Sequence, residues 1–414
     1  MTTQHTAEQL WDAHWASAVG NISSSAIREL LKVIEQPGVI SFAGGLPAPE
    51  CFPAEEIGLA AERVLAREAG RVLQYGPTEG FPPLRDFLIE LMRGRGLPVG
   101  LANLLVTSGS QQALDIIAKL LVDPGDLVVV EDPTYVGALQ AFRPYRPTFA
   151  TLPMDDQGLR VDALERLLAG LAAEGRRPKF LYTVASFQNP TGVTLSAERR
   201  RALIELAARH ELPIVEDDPY GELRYSGEAP PLLAALDIER WGAPRHVLYL
   251  STFSKLLVPG LRVGWAVAPE PLLRRMVQVK QGLDLHTSSL AQAIAYETCR
   301  EGLLARQIPR ICAVYQARRD AMLEALERYM PVGTRWTRPD GGMFLWITLP
   351  EGYNTTELLK VALEQQRVAF VPGGAFHANG GGENTMRLNF SYSPPEQIAE
   401  GVRRLALVLG QALR

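Results

Sequence analysis

The chain has 414 residues, 47% of them hydrophobic and 21% charged, and a formal net charge of −4. That length allows two or three domains with a packed core. The composition is that of a soluble globular protein, and the near-neutral balance leaves no basic footprint for nucleic acid. No apolar run approaches the roughly 20 residues of a membrane span. Cys51, Cys299 and Cys312 are scattered and odd in number, with no Cys-x-x-Cys pair. That argues against a disulfide framework or a thiolate metal site and fits a reducing cytosol. The segment Met1-Thr2-Thr3-Gln4-His5-Thr6-Ala7-Glu8 lacks the basic-then-apolar order of a signal peptide, so a cytoplasmic protein is expected.

In chain order, a helix is expected over about 24–35, stopped at Pro37-Gly38. The loop Phe42-Ala43-Gly44-Gly45-Leu46-Pro47 follows, and its glycine pair lets backbone approach something closely. Short Val-, Ile- and Leu-rich runs then alternate with longer helical patterns, as in a parallel sheet with crossover helices. Strands are predicted at 104–107, 127–131, 180–184, 214–216, 247–250 and 264–267, each nearly continuously apolar as strands covered on both faces should be. Helices are predicted at 111–121 and 197–210; the first places Ala113, Ile116, Ile117 and Leu120 on one face. After about residue 290 the pattern changes. One long helical stretch through Arg328 is followed by strands near 342–347 and 386–391 and a closing helix from Pro395, which reads as a smaller α+β domain.

Lysine is scarce: six lysines stand among 42 basic residues. Lys32 and Lys360 lie in amphipathic helical segments, Lys119 flanks an apolar face, Lys179 precedes a strand and Lys280 belongs to a helical run. These five read as solvated. Lys255 ends the stretch Tyr249-Leu250-Ser251-Thr252-Phe253-Ser254-Lys255, at a strand end among small hydroxyl residues, where α/β sheets place ligands. A lysine amine becomes nucleophilic when desolvation or a nearby cation lowers its pKa, and its characteristic covalent chemistry is imine formation with an aldehyde.

Other residues are ambiguous alone. Asn189-Pro190-Thr191-Gly192 is a common turn, Asp217 in Asp217-Asp218-Pro219-Tyr220 could be a cap, and Ser110 could be a plain N-cap. Tyr135 could be one more turn tyrosine. Arg387 lies in the otherwise mostly apolar strand around Met386-Arg387-Leu388, where an unpaired charge is costly, so a functional role is favoured over a solvated face.

In order and separation, Asn189-Pro190-Thr191-Gly192, Asp217-x-x-Tyr220, Thr252-x-Ser254-Lys255 and Arg262 resemble the fold-type I pyridoxal-phosphate aminotransferases of class I/II. The resemblance runs from about Ser25 to the last helix. It implies an α/β fold with a mainly parallel central sheet and a smaller α+β domain. It also implies an N-terminal arm and mobile substrate-gating helix at 1–48 grouped with the small domain, a large cofactor domain at 49–290 and a small domain at 291–414. Lys255 is then the residue that binds pyridoxal 5'-phosphate covalently, with Asp217 at the pyridinium nitrogen and Asn189 and Tyr220 at the phenolic oxygen. Ser110, Gln111, Thr252, Ser254 and Arg262 would hold the phosphate, and Tyr135 would stack on the ring. Tyr75 would reach the phosphate of a partner subunit's cofactor, implying a homodimer with shared sites. Arg387 takes the α-carboxylate, with Asn189 and Gly45 also at the substrate. The Asn189–Pro190 bond is expected to be cis.

The segments around Ser23–Glu50 and Val371–Asn384 are most similar to bacterial 2-aminoadipate aminotransferases of lysine biosynthesis. By that similarity Ser25 and Arg28 recognise a distal carboxylate. The expected substrates are 2-aminoadipate or glutamate with 2-oxoglutarate, with some tolerance for leucine or aromatics. An aromatic or branched-chain aminotransferase is the alternative within the family. A ligand-sensing regulator is the alternative outside it, disfavoured because about 45 residues precede the core and contain no basic recognition helix.

Overall fold

The computed structural model describes residues 6–21 and 38–412. The helix expected over 24–35, with Ser25, Arg28 and Lys32, lies outside the described residues. Seven strands of the central sheet are β1 Leu104–Thr107, β2 Leu127–Asp132, β3 Thr148–Asp155, β4 Phe180–Thr183, β5 Ile214–Asp217, β6 Val247–Thr252 and β7 Gly264–Val267. They lie in the order β1-β7-β6-β5-β4-β2-β3, and the two-residue strand Gly158–Leu159 completes the edge beside β3. The run from β3 to β6 is parallel; β7 is antiparallel to both β6 and β1. The sheet is therefore mainly parallel, as expected. Every residue of β1, β4, β5, β6 and β7 is buried, which is why those strands read as mostly apolar runs, with Glu216 and Asp217 the charged exceptions at the end of β5. The edge strand β3 has mixed burial and no such run, so periodicity did not mark it.

Crossover helices include α1 Ser110–Leu121, α2 Val136–Phe142 and α3 Ala197–His210, and α4 Glu270–Asp284 follows the last strand of the sheet. At the start of α3, the Ser196 hydroxyl accepts from the Arg199 amide. The helix stops at Glu211, which adopts φ 49°. The long helix expected after residue 290 is two helices, α5 Ser289–Cys299 and α6 Leu303–Tyr329. Gly302, with φ 78°, breaks them, a left-handed residue that other side chains adopt only with strain.

Strand β8 Phe344–Thr348 pairs antiparallel with β9 Thr385–Asn389, and α7 Pro395–Ala412 closes the chain. Ile40–Ser41 pairs parallel with Val368–Ala369, while the Phe42 amide donates to Ala369 and its carbonyl accepts from the Asn389 amide. These bonds fasten the loop at 42–47 to the C-terminal sheet. Residues of both sheets share one continuous hydrophobic core. No helix among the described residues is long and apolar enough to cross a membrane.

Candidate active site

The C-terminal ends of the parallel strands converge on one cavity, as is usual for open α/β sheets. It is lined by Gly45, Leu46, Ser110, Gln111, Tyr135, Asn189, Asp217, Tyr220, Thr252, Ser254, Lys255, Arg262, Phe344 and Arg387. Of the site residues predicted from sequence, Tyr75 is the described one outside this lining. It is 78% exposed, with its ring edge-on to His286 at 6.0 Å.

Lys255 follows β6, and its Nζ donates to the carbonyl of Gly45 at 2.8 Å. Burial, reinforced by the charges of Arg387 and Arg262, pulls its pKa down to about 8. A substantial neutral fraction is therefore available near neutrality, as nucleophilic attack requires.

Three consecutive acids end β5, and the alternation of a strand sends them to different surroundings. Glu216 accepts from the backbone amides of Leu233 and Ala234 at 3.0 and 2.9 Å. Asp218 accepts from Arg95 at 2.8 Å, from the Tyr249 hydroxyl at 3.0 Å and from the Gly221 amide at 3.0 Å. Asp217 between them accepts from the Tyr182 hydroxyl at 2.9 Å, while its buried Oδ1 has no partner among the described residues. Burial pushes the Asp217 carboxyl up to about 7.

The peptide bonds before Pro133 and Pro190 are both cis, the second as expected from the sequence. Asn189 donates to the Tyr220 hydroxyl at 3.2 Å and accepts from Arg387 at 2.9 Å. Arg387 is 1% exposed and donates also to the Ala43 carbonyl at 2.7 Å, and its Nε has no partner among the described residues. Its guanidinium stands 4.3 Å from the centre of the Phe344 ring, a desolvated cation–π contact. Burial lowers its pKa to about 10.

At the end of β1 the turn Ser108-Gly109-Ser110 enters α1, so the helix's first amides face the cavity. Arg262 donates to the Ser108 carbonyl at 3.3 Å. It packs so tightly that a Cβ on Gly109 would lie 2.6 Å from its guanidinium. Thr252 and Ser254 share a hydroxyl–hydroxyl bond of 2.9 Å. Gln111 donates through its side chain to the Gly137 carbonyl at 2.8 Å.

An amine of lowered pKa, a buried carboxylate with a spare oxygen, a helix N-terminus crowned by arginine and a buried guanidinium thus share one cavity. The model of the aminotransferase class I and II family matches residues 40–405. The chain belongs to that family. It is a pyridoxal 5'-phosphate-dependent aminotransferase that acts on amino acids and 2-oxo acids. It is 48% identical to an aromatic-amino-acid aminotransferase of Thermococcus litoralis, over 98% of this chain and 96% of that one. It is equally 48% identical to a 2-aminoadipate transaminase of Thermus thermophilus, over 96% and 97% of the two chains. The crystal structure of the Thermus thermophilus α-aminoadipate aminotransferase complexed with N-(5'-phosphopyridoxyl)-L-leucine superposes with a TM-score of 0.90. That match has 46% identity and covers 97% of this chain and 99% of the other.

Three features of this aminotransferase escaped the sequence reading. Phe344 and Tyr182 were read as strand residues, yet they touch Arg387 and Asp217. Lys280, read as solvated, is fully buried and bonded to Gln112, Asp284 and Thr287. Its signal was present: Leu273, Met276 and Lys280 lie on one face of α4 and all are buried.

Proposed function

We propose that this aminotransferase moves an amino group between L-2-aminoadipate or glutamate and 2-oxoglutarate, with Lys255 as the covalent anchor of pyridoxal 5'-phosphate. The observation that carries the reading is one cavity holding both a desolvated amine, Lys255, and a buried carboxylate, Asp217, with one oxygen unpartnered among the described residues. That oxygen suits a cofactor ring N–H, and the unpartnered Arg387 Nε suits a substrate carboxylate. When bound, the cofactor supplies an electron sink for the carbanion left at the substrate Cα.

The chain's own residues do the rest. Asp217 would keep the ring nitrogen protonated, Asn189 and Tyr220 would hold the phenolic oxygen, and Tyr135 would pack against the ring. Ser110, Gln111, Thr252, Ser254 and Arg262 hold the phosphate. Lys255, once free, would move the proton at the substrate Cα, for which a pKa near 8 is suited. Arg387 fixes the α-carboxylate beside Asn189 and Gly45. The two half-reactions share this site, so ping-pong kinetics follow.

Tyr75, exposed on the surface, belongs in this reading to the site of a second copy, making a homodimer the working unit. Ser25 and Arg28 receive the distal carboxylate from a gating helix within an arm at 1–48, with a large domain at 49–290 and a small one at 291–414. The cytoplasm is the proposed location and lysine biosynthesis the proposed context. The named activity of the Thermus thermophilus relative supports the acidic substrate. An aromatic substrate is the second reading, supported by the Thermococcus litoralis relative and by Tyr135 and Phe344 in the cavity wall.

Stoichiometric conversion of bound cofactor to pyridoxamine phosphate tests both, with 2-aminoadipate, glutamate, phenylalanine and leucine as donors. In Arg28→Ala, kcat/KM for 2-aminoadipate should fall about 10-fold or more while phenylalanine is spared. Equal losses on all donors would remove Arg28 from the specificity role.

A further inference from the structure

Against the turn Ser108-Gly109-Ser110, outside the cavity lining, lies a polar cluster in which Lys280 and Thr287 are buried and Asp284 is partly exposed. Lys280 Nζ donates to Gln112 Oε1 at 2.9 Å, to the two Asp284 oxygens at 2.8 and 2.9 Å, and to the Thr287 hydroxyl at 3.0 Å. Gln112 Oε1 also accepts from the Ser108 amide at 2.8 Å, while its Nε2 donates to Asp284 at 2.7 Å. The Ser108 hydroxyl donates to the same Asp284 oxygen at 3.0 Å. Ser108 is thereby held by both its backbone amide and its side chain, and its carbonyl faces Arg262. A lysine with no exposed side-chain surface is costly to bury unless its surroundings satisfy it.

We propose that Lys280 is a positioning residue for the cofactor phosphate. With Asp284 and Gln112 it clamps the Ser108-Gly109-Ser110 turn, so that the turn's amides and Arg262 stand ready before the phosphate arrives. This rests on the assignment of that turn and Arg262 as the phosphate cradle. The clamp acts through backbone placement and touches neither ring nor substrate. Preorganised supporting residues of this kind commonly matter by about 10–100-fold in affinity.

The test compares two cofactor forms that differ only in the phosphate. Cofactor-free wild type, Lys280→Met and the double variant Lys280→Met/Asp284→Asn are titrated with pyridoxal 5'-phosphate and with pyridoxal, following absorbance of the lysine-bound chromophore. The double variant removes both charges together, so folding survives the loss of the pair if the single variant does not fold. The expected result is a loss of about 10-fold or more in affinity for pyridoxal 5'-phosphate, with affinity for pyridoxal within about 2-fold of wild type. Inorganic phosphate should protect against pyridoxal 5'-phosphate binding less well in the variant than in wild type. At saturating cofactor, kcat should stay near wild type, separating placement of the phosphate from chemistry. Equal losses for both cofactor forms, or none for either, would overturn the proposal. If wild type itself fails to prefer the phosphorylated form, the cradle assignment falls instead, and that outcome is visible in the wild-type arm alone.

Discussion

Two regions at the strand ends both bury charge, and they treat it in opposite ways. Around Asp218, and around Lys280 beside the Ser108 turn, the acceptors and donors are matched: Asp218 takes three bonds, and Lys280 reaches three neighbouring side chains. In the cavity, Asp217 Oδ1 and Arg387 Nε have no partner among the described residues. Among those residues Lys255 bonds there to the Gly45 carbonyl. The difference separates scaffold from chemistry, because an unmatched buried group is stable only with a ligand or at a cost to folding. Burial moves pKa values toward neutrality in both regions, lowering those of Lys255 and Lys280 and raising those of Asp217 and the amide-bonded Glu216, so it is the missing partners that set the cavity apart.

Three substitutions would break or sharpen that contrast. Lys255→Ala should show the largest effect, a fall in kcat of at least about 10⁴-fold with thermal stability of the cofactor-free protein kept. Wild-type rates in that variant would end the assignment of Lys255. Asp218→Ala should act on the fold instead, leaving Arg95 with Glu222 and the Tyr249 hydroxyl. A loss of about 3 kcal/mol in denaturant unfolding is expected, and a stability unchanged from wild type would mean that the matched layer is not scaffold.

The smallest effect concerns Asp217 and depends on pH. Its carboxyl stands at about 7 against an ordinary 3.8. Between those values the folded state holds the proton more tightly than the unfolded chain, so the contribution of Asp217 to stability falls as pH rises through that window. Without cofactor, Asp217→Asn should gain on wild type by on the order of 1–2 kcal/mol more at pH 8 than at pH 5. Thermal unfolding of the two cofactor-free proteins at each pH measures it. A pH-independent difference would show that Asp217 is matched in solution after all.

Much of this was legible in the amino-acid order. The buried strands announced themselves as mostly apolar runs. Thr252-x-Ser254-Lys255, Asp217-x-x-Tyr220 and the Asn189 turn named a cofactor site whose members all line one cavity. Strand β3 was not legible, because an edge strand with mixed burial carries neither alternation nor a run. The break at Gly302 was missed because a helical pattern continues on both sides of it.

What the sequence by itself determined is the family, through motifs around a lysine at one strand end, an acid at the end of the preceding strand and an arginine within a late strand. The tertiary structure alone decided which charges would be matched. Lys255 meets the carbonyl of Gly45, Arg387 stands over Phe344 beside Asn189, and Lys280 meets Gln112. Most of these partners lie 168 to 210 positions apart. Periodicity encodes which face of an element is covered, but the partner of a buried charge is chosen by how distant elements cross, and no local pattern records that.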